Sequence, residues 1–449
     1  MSTSERGAPS YASGARMLSI GIASTGVLTF AYFAVASHVL GTSGRVRYGY
    51  IAELWSVMFV IICVIYRPIE QLLSRTIAQR RAHGIERHPL AVPAAIQGTF
   101  GLLFLAVALP LHSEVAHHVL HSTTLYWILV VGICAYAASY FARGWLAGHK
   151  YFALYGGLVF MESASRLAFA LAAAVSLTHG QSAIALGIAA APFVSLVVVP
   201  AAFATRAQRS VAVIDLSDAA LEGPAAEGIE EASSELSIRH GGRFAISVSG
   251  IQLAEQTLLN AAVLTVAATT VAASGLTGAV FDLLLITRAP LQLFQAIQTT
   301  LLPHLAGLEV TKGAAAFERA IRLTVLAIAA FAIAIALGLL VAGPFAMHHV
   351  FGYDYHYNRL GLALVAVGMG LHLCAGALNQ AALARGQAGI AAALWLLAAA
   401  VFVAWMLIGA VSNQVLRTEV GYTAAAGLLA LALLMLYRRG SPTAPAIAA

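Results

Sequence analysis

Apolar residues fall in long runs separated by short polar breaks. The runs are close to the length a helix needs to cross a bilayer, about 20 residues. Twelve can be drawn, near 17–40, 49–70, 91–110, 124–147, 152–177, 183–205, 244–268, 276–302, 321–343, 359–384, 388–411 and 419–437. They predict an all-α polytopic membrane protein of about 12 transmembrane helices with no soluble domain. One polar break is different. Residues 206–243 hold Asp215, Asp218, Glu222, Glu227, Glu230, Glu231 and Glu235 among glycines and serines. That composition predicts a flexible acidic linker over 208–242. It divides an N-terminal six-helix lobe (1–207) from a C-terminal one (243–438), with a tail over 439–449.

Two local correspondences join the halves. FVIICVIYRPIEQLL and FDLLLITRAPLQLFQ place Arg67 with Pro68, and Arg288 with Pro290, after an apolar run. AHHVL and MHHVF place His117 and His118, then His348 and His349, in what are predicted as equivalent loops. The order predicts a parallel repeat about an axis along the membrane normal. Pro68 and Pro290 each interrupt a helical backbone bond, so both are candidate hinges.

Composition agrees: 60% of residues are hydrophobic and 10% charged, too few charges to solvate a soluble surface. The first apolar run is too long for a signal-peptide core and no clear cleavage site follows, so it reads as a retained span. Of 25 Lys and Arg residues, only Arg45, Arg47, Arg359 and Arg417 fall on the side opposite the N-terminus. Arg67, Arg166 and Arg288 fall within spans, and the rest, Arg143 and Lys150 included, fall on the N-terminal side. The positive-inside rule then predicts a multi-pass protein of the cytoplasmic membrane with both termini inside. The net charge of +6 meets anionic lipid headgroups and calls for no nucleic acid. Cys63, Cys134 and Cys374 all lie in spans and form neither a disulfide framework nor a metal spacing.

Ionisable groups in a bilayer must face protein or water. At 100° per residue, Glu53, Ser56, Arg67, Gln71 and Ser74 share one face of the second span. Ser249, Gln252, Gln256 and Asn260 share a face of the seventh, with Glu255 beside them. Arg288, Gln292, Gln295 and Thr299 share one of the eighth, and Asp282 points elsewhere. Three stripes predict a hydrated, V-shaped cavity between the lobes, lined by Arg67, Arg166 and Arg288 with Gln71, Gln252, Gln256, Asn260, Gln292 and Gln295. The alternative is polar side chains that only hold helices together. Glu255 and Arg288 fall at similar depth and are expected either to pair or to switch charge. Glu255 leads the candidates for ion coupling, followed by Glu53 and Asp282. Glu162 and Arg166, four apart on the fifth span, are expected to form a structural ion pair or a substrate contact.

There is no Walker A sequence, GxSxG elbow or HExxH pair, so the chain reads as no enzyme and calls for no cofactor. His117 and His121 have metal spacing but no cysteine nearby, and solvated interfacial histidines are the expectation.

More specific features lie in HVLGTSGRVRYGYIAELWSVMFV, RPIEQLLSRTIAQRRAHG, GWLAGHKYFALYGGLVFMESASRLAFAL and LLLITRAPLQLFQAIQTTLLPHLAGLE. Together with the two six-span halves, they resemble the polysaccharide flippases of the multidrug/oligosaccharidyl-lipid/polysaccharide exporter superfamily. The resemblance implies translocation of a polyprenyl-pyrophosphate-linked oligosaccharide to the outer leaflet by alternating access. A polysaccharide polymerase and glycosyltransferases are the implied partners. Arg67, Arg288 and Arg166 would hold the anionic headgroup while the tail stays among membrane lipids. Three rivals stand beside it: a drug or organic-cation exporter centred on Glu53, Glu255 and Asp282, a membrane glycan ligase or acyltransferase, and a scaffold that transports nothing.

Overall fold

The computed structural model describes residues 11–40, 45–82, 91–175, 177, 180–200, 227–269, 275–286, 291, 314–352 and 355–439. The helices are α1 (Tyr11–Leu40), α2 (Arg45–Ala82), α3 (Ala91–Ala108), α4 (Thr123–Gly148), α5 (Phe152–Ala174), α6 (Gly180–Ser195), α7 (Glu227–Thr269), α8 (Leu276–Ile286), α9 (Ala314–Phe351), α10 (Arg359–Ala384), α11 (Ala388–Ile408) and α12 (Gln414–Arg438). Among the described residues there is no strand.

Among the described residues ten helices are long and apolar enough to cross a membrane, where the sequence predicts about twelve over the whole chain. The third is interrupted. Pro93–Ala108 and His112–Val119 meet at a 70° bend, and Pro110, which has no N–H to donate, sits in the break. Past it, Val115–Val119 form a π-helical turn. His117 and His118, expected in a loop, lie in that turn, and His118 Nδ1 is 3.1 Å from Glu114. The described part of the eighth helix stops at Ile286, apart from Leu291. The segment read as linker is partly helical, because α7 begins at Glu227.

Helix starts follow their capping residues. Ser122 Oγ accepts from Leu125 N–H, Asn358 Oδ1 from Leu360 N–H, and Asn413 Oδ1 from the N–H groups of Val415 and Leu416. These satisfy donors that the first helical turn leaves free. The turn from α11 to α12 uses Gly409 at φ 70°, a conformation that side chains with a Cβ disfavour. Arg417 stitches this turn. Its Nε donates to Val411 O at 2.7 Å and its Nη1 to Met406 O at 3.1 Å. Arg417, placed from sequence on the side opposite the N-terminus, is thus buried structural glue.

Packing repeats six helices apart. α1 lies along α5 as α7 lies along α11, α4 meets α6 as α10 meets α12, and α5 meets α6 as α11 meets α12. Across the lobes, α2 lies along α7, with a smaller contact of α1 on α9. Among the described helices the repeat is most unequal at one pair. α9 packs closely along α10, whereas α3 touches α4 only lightly.

The polarity of the bundle is inverted relative to a soluble domain. Leu102, Leu326, Val341, Leu397 and Ile408 are exposed, while Glu53, Arg143, Glu162, Arg166, Asp282 and His372 are buried. Oily faces outward and polar groups inward are what lipid as solvent requires.

Glycine sets one close crossing. A Cβ on Gly21 would lie 2.6 Å from Gly156 Cα, so α1 and α5 touch backbone to backbone. Gly21→Ala must push the helices apart and is expected to cost about 1–3 kcal/mol. Gly157→Ala is the control, because its Cβ meets nothing within 4 Å. Thermal unfolding in detergent reads both, and equal melting temperatures would refute the backbone contact.

Candidate functional site between the lobes

The lobes join where α1 ends and α2 begins. Tyr48 at the start of α2 donates its hydroxyl to Asp282 on α8. The Tyr357 hydroxyl, from the segment before α10, reaches the same carboxyl. Burial, then the Asp282 carboxylate, holds the Tyr357 phenol well above the usual tyrosine range, so it remains an O–H donor. Phe33 packs on Phe281 with ring centroids 4.5 Å apart, and Phe30 meets Phe351 edge-on at 5.3 Å. One buried acid therefore holds two tyrosines inside an aromatic seal. Asp282, off the predicted stripe, is a junction residue.

The stripes can be placed along this interface. On α2, Glu53, Ser56 and Pro68 are buried, Arg67 is half-buried and Gln71 is exposed. On α7, Gln252, Gln256 and Asn260 are buried. Gln252 Nε2 donates to Glu255 Oε2 at 3.2 Å, and Asn260 Nδ2 donates to Gln256 O at 2.9 Å. Arg67 and Glu255 attract each other across the interface, although no ion pair within 4 Å joins them among the described residues. Arg288, Pro290, Gln292 and Gln295 lie outside the described residues, so the described partner for Glu255 charge is Arg67.

The structure corrects the predicted ion pair. Glu162 is paired with Arg143 on α4 and not with Arg166. Glu162 Oε2 accepts from Arg143 Nη2, and Oε1 accepts from Ser139 Oγ and, at 3.4 Å, from Ser195 Oγ. The face of α5 bearing Glu162 meets α4, so a neighbouring helix supplies the cation. Arg166 Nη1 instead donates to Tyr136 Oη at 2.8 Å, and its guanidinium lies 5.3 Å from the Trp55 ring centroid. Glu70 joins the same region, accepting from Tyr155 Oη at 2.6 Å. Arg143, placed from sequence among the basic residues on the N-terminal side, is buried inside the lobe.

His372 on α10 went unread in the sequence. It is buried, edge-on to Trp395 at 5.4 Å and stacked on Tyr422 at 6.2 Å. Neither ring nitrogen has a hydrogen-bond partner among the described residues. Glu255 lies close enough to act on its charge. A signal existed, because Asn379 is seven residues on and so on the same helix face, where it accepts from Trp395 Nε1 at 3.2 Å. Among the described residues, no group of three His, Cys, Asp or Glu side chains is placed to hold a metal.

No protein-family model matches the chain, and no curated protein matches it by sequence. Solved structures do match over nearly its whole length. A eukaryotic MATE transporter, AtDTX14, is 12% identical, with 96% of each chain covered and a TM-score of 0.63. The Vibrio cholerae MATE transporter VcmN in its bent form is 14% identical, covering 96% of this chain and 97% of that one, at 0.60. The outward-facing conformation of a multidrug resistance MATE family transporter of the MOP superfamily is 14% identical, covering 98% of each chain, at 0.64. This chain has the MATE transporter fold. On the MATE fold, the Tyr48–Asp282 contact and the Arg67–Glu255 approach both lie between the lobes, at two levels of one interface.

Proposed function

We propose that the protein is a membrane exporter working by alternating access, and that its cargo is a polyprenyl-pyrophosphate-linked oligosaccharide. The fold supports the first part. The second rests on one observation: on α2, half-buried Arg67 is followed one turn later by exposed Gln71. An arginine at a lobe boundary suits a phosphate, because its planar fork makes paired, charge-assisted hydrogen bonds. In this reading Glu255 opposes Arg67 while the site is empty and is displaced by the anionic headgroup. With both termini cytoplasmic, the Tyr48–Asp282 junction closes the outer end.

A second reading is favoured by Glu53, Glu255 and His372. A buried carboxyl, Glu53, and a half-buried one, Glu255, that acts on the His372 imidazole suit an ion-coupled exporter of organic cations. One pair of variants separates the two. Arg67→Ala with Arg288→Ala, at normal protein levels, is expected to leave lipid-linked oligosaccharide accumulating at the cytoplasmic leaflet. Glu255→Gln is expected to abolish efflux of a lipophilic cation if the second reading holds. Unchanged sugar export in the arginine variant defeats the first reading.

A further inference from the structure

A row of alternating charge crosses four helices. It starts at Glu162 on α5, which is paired with Arg143 on α4. Arg143 and Glu70 on α2 attract each other, and so do Glu70 and Arg67. Arg67 in turn feels Glu255 on α7, across the lobe boundary. The first pair holds α5 to α4, and the last two residues face each other between the lobes. Glu70 is the link that joins them.

Glu70 is fixed to its own lobe. Tyr155 Oη on α5 donates to Glu70 Oε1 at 2.6 Å. A Cβ on Gly144 would lie 2.8 Å from Glu70 O, and one on Gly148 would lie 2.6 Å from Ile77 Cβ. From Glu70 to Ile77, α2 is therefore pressed against α4. Arg67 stands three residues earlier on α2, a spacing at which opposite charges on one helix are neighbours. Arg67 thus has two carboxylates of different kinds. Glu70 travels with it, whereas Glu255 belongs to the other lobe.

A guanidinium beside a permanent carboxylate offers a ligand less charge than a bare one does. We infer that Glu70 is a positioning residue for an anion site at Arg67, holding the guanidinium in place and keeping its grip on a pyrophosphate weak enough for release. The inference rests on the reading of the cargo as a pyrophosphate-linked lipid. When the lobes part, Glu255 is carried off and Arg67 is open to the ligand, with Glu70 as its remaining counter-charge. When they close, Glu255 returns, and the two carboxylates together displace the phosphate. Tyr155 sets the balance. Its hydroxyl occupies one Glu70 oxygen and draws the carboxylate towards α5, away from Arg67.

The test titrates the full chain in detergent with farnesyl diphosphate, a short polyprenyl pyrophosphate, by isothermal calorimetry. A unit charge about 6 Å away in a partly hydrated site changes an ion's affinity roughly three- to tenfold. Glu70→Gln is expected to bind the diphosphate tighter by that factor. Glu70→Asp keeps the charge and is expected to bind it as the parent does. Tyr155→Phe frees the carboxylate for Arg67 and is expected to weaken binding. Farnesol carries no charge and is expected to bind all three variants alike. Damage to the fold would not tighten the binding of an anion alone. If Glu70→Gln binds the diphosphate no tighter while Arg67→Ala loses it, the inference is overturned and the cargo reading stands. If Arg67→Ala binds it as the parent does, the cargo reading falls, and this inference with it.

Discussion

Arg143→Ala is expected to destabilise the protein by about 3–5 kcal/mol, the usual cost of stripping a buried ion pair of one partner. Arg143 and Glu162 are both buried, and Glu162 holds its carboxylate in a cage completed by Ser139 and Ser195. Removing the guanidinium leaves that carboxylate charged in a site water does not reach. Ser139 and Ser195 still donate to it but bring no opposite charge. Removing both charges is milder, because well-packed apolar replacements of a buried pair are often close to neutral. The double variant Arg143→Met, Glu162→Met is therefore expected to recover most of the loss. Thermal unfolding of the single and double variants in detergent measures this. A double variant as unstable as the sum of the two singles would show that the residues act separately.

Tyr48→Phe is expected to release the junction between the lobes. The ring stays in its aromatic seal, and only the hydroxyl that reaches Asp282 is lost. A hydrogen bond between buried groups contributes about 0.5–1.5 kcal/mol net. Where it joins two states of a molecule, that corresponds to a shift of roughly two- to tenfold in their populations. Arg47 and His356 are exposed on opposite lobes at this end, so spin labels there report the separation, with Cys63, Cys134 and Cys374 replaced. The expected result is a new, longer distance that the parent protein lacks or barely populates. An unchanged distribution would mean that the aromatic contacts of Phe33 and Phe30 hold the lobes by themselves.

The helices were legible because lipid imposes a long, nearly uninterrupted apolar run on each. The bend at Pro110 was not read, because the apolar run continues through the proline and hides the change of direction. The site was legible in part. The α2 and α7 stripes are periodic, and the structure brings Arg67 towards Glu255 as the shared interface requires. The partner of Glu162 was not legible. Spacing of four along α5 pointed to Arg166, but a pair on one helix competes with whatever the neighbouring helix presents. Arg143 sits near a helix end, where position alone cannot tell a surface anchor from a buried cation. His372 has only Asn379 as a polar companion on its helix face, seven residues on, and one repeat is too short to mark a stripe.

The unequal packing of α3 and α9 has a mechanical consequence. Two halves of matching order do not have matching compliance. A helix pressed along its neighbour moves only with that neighbour, whereas α3, which touches α4 only lightly, can tilt about Pro110 with little repacking elsewhere. Strain raised at the shared interface is then absorbed on the N-terminal side first. The C-terminal half behaves as the frame, and the first half as the spring that works against it.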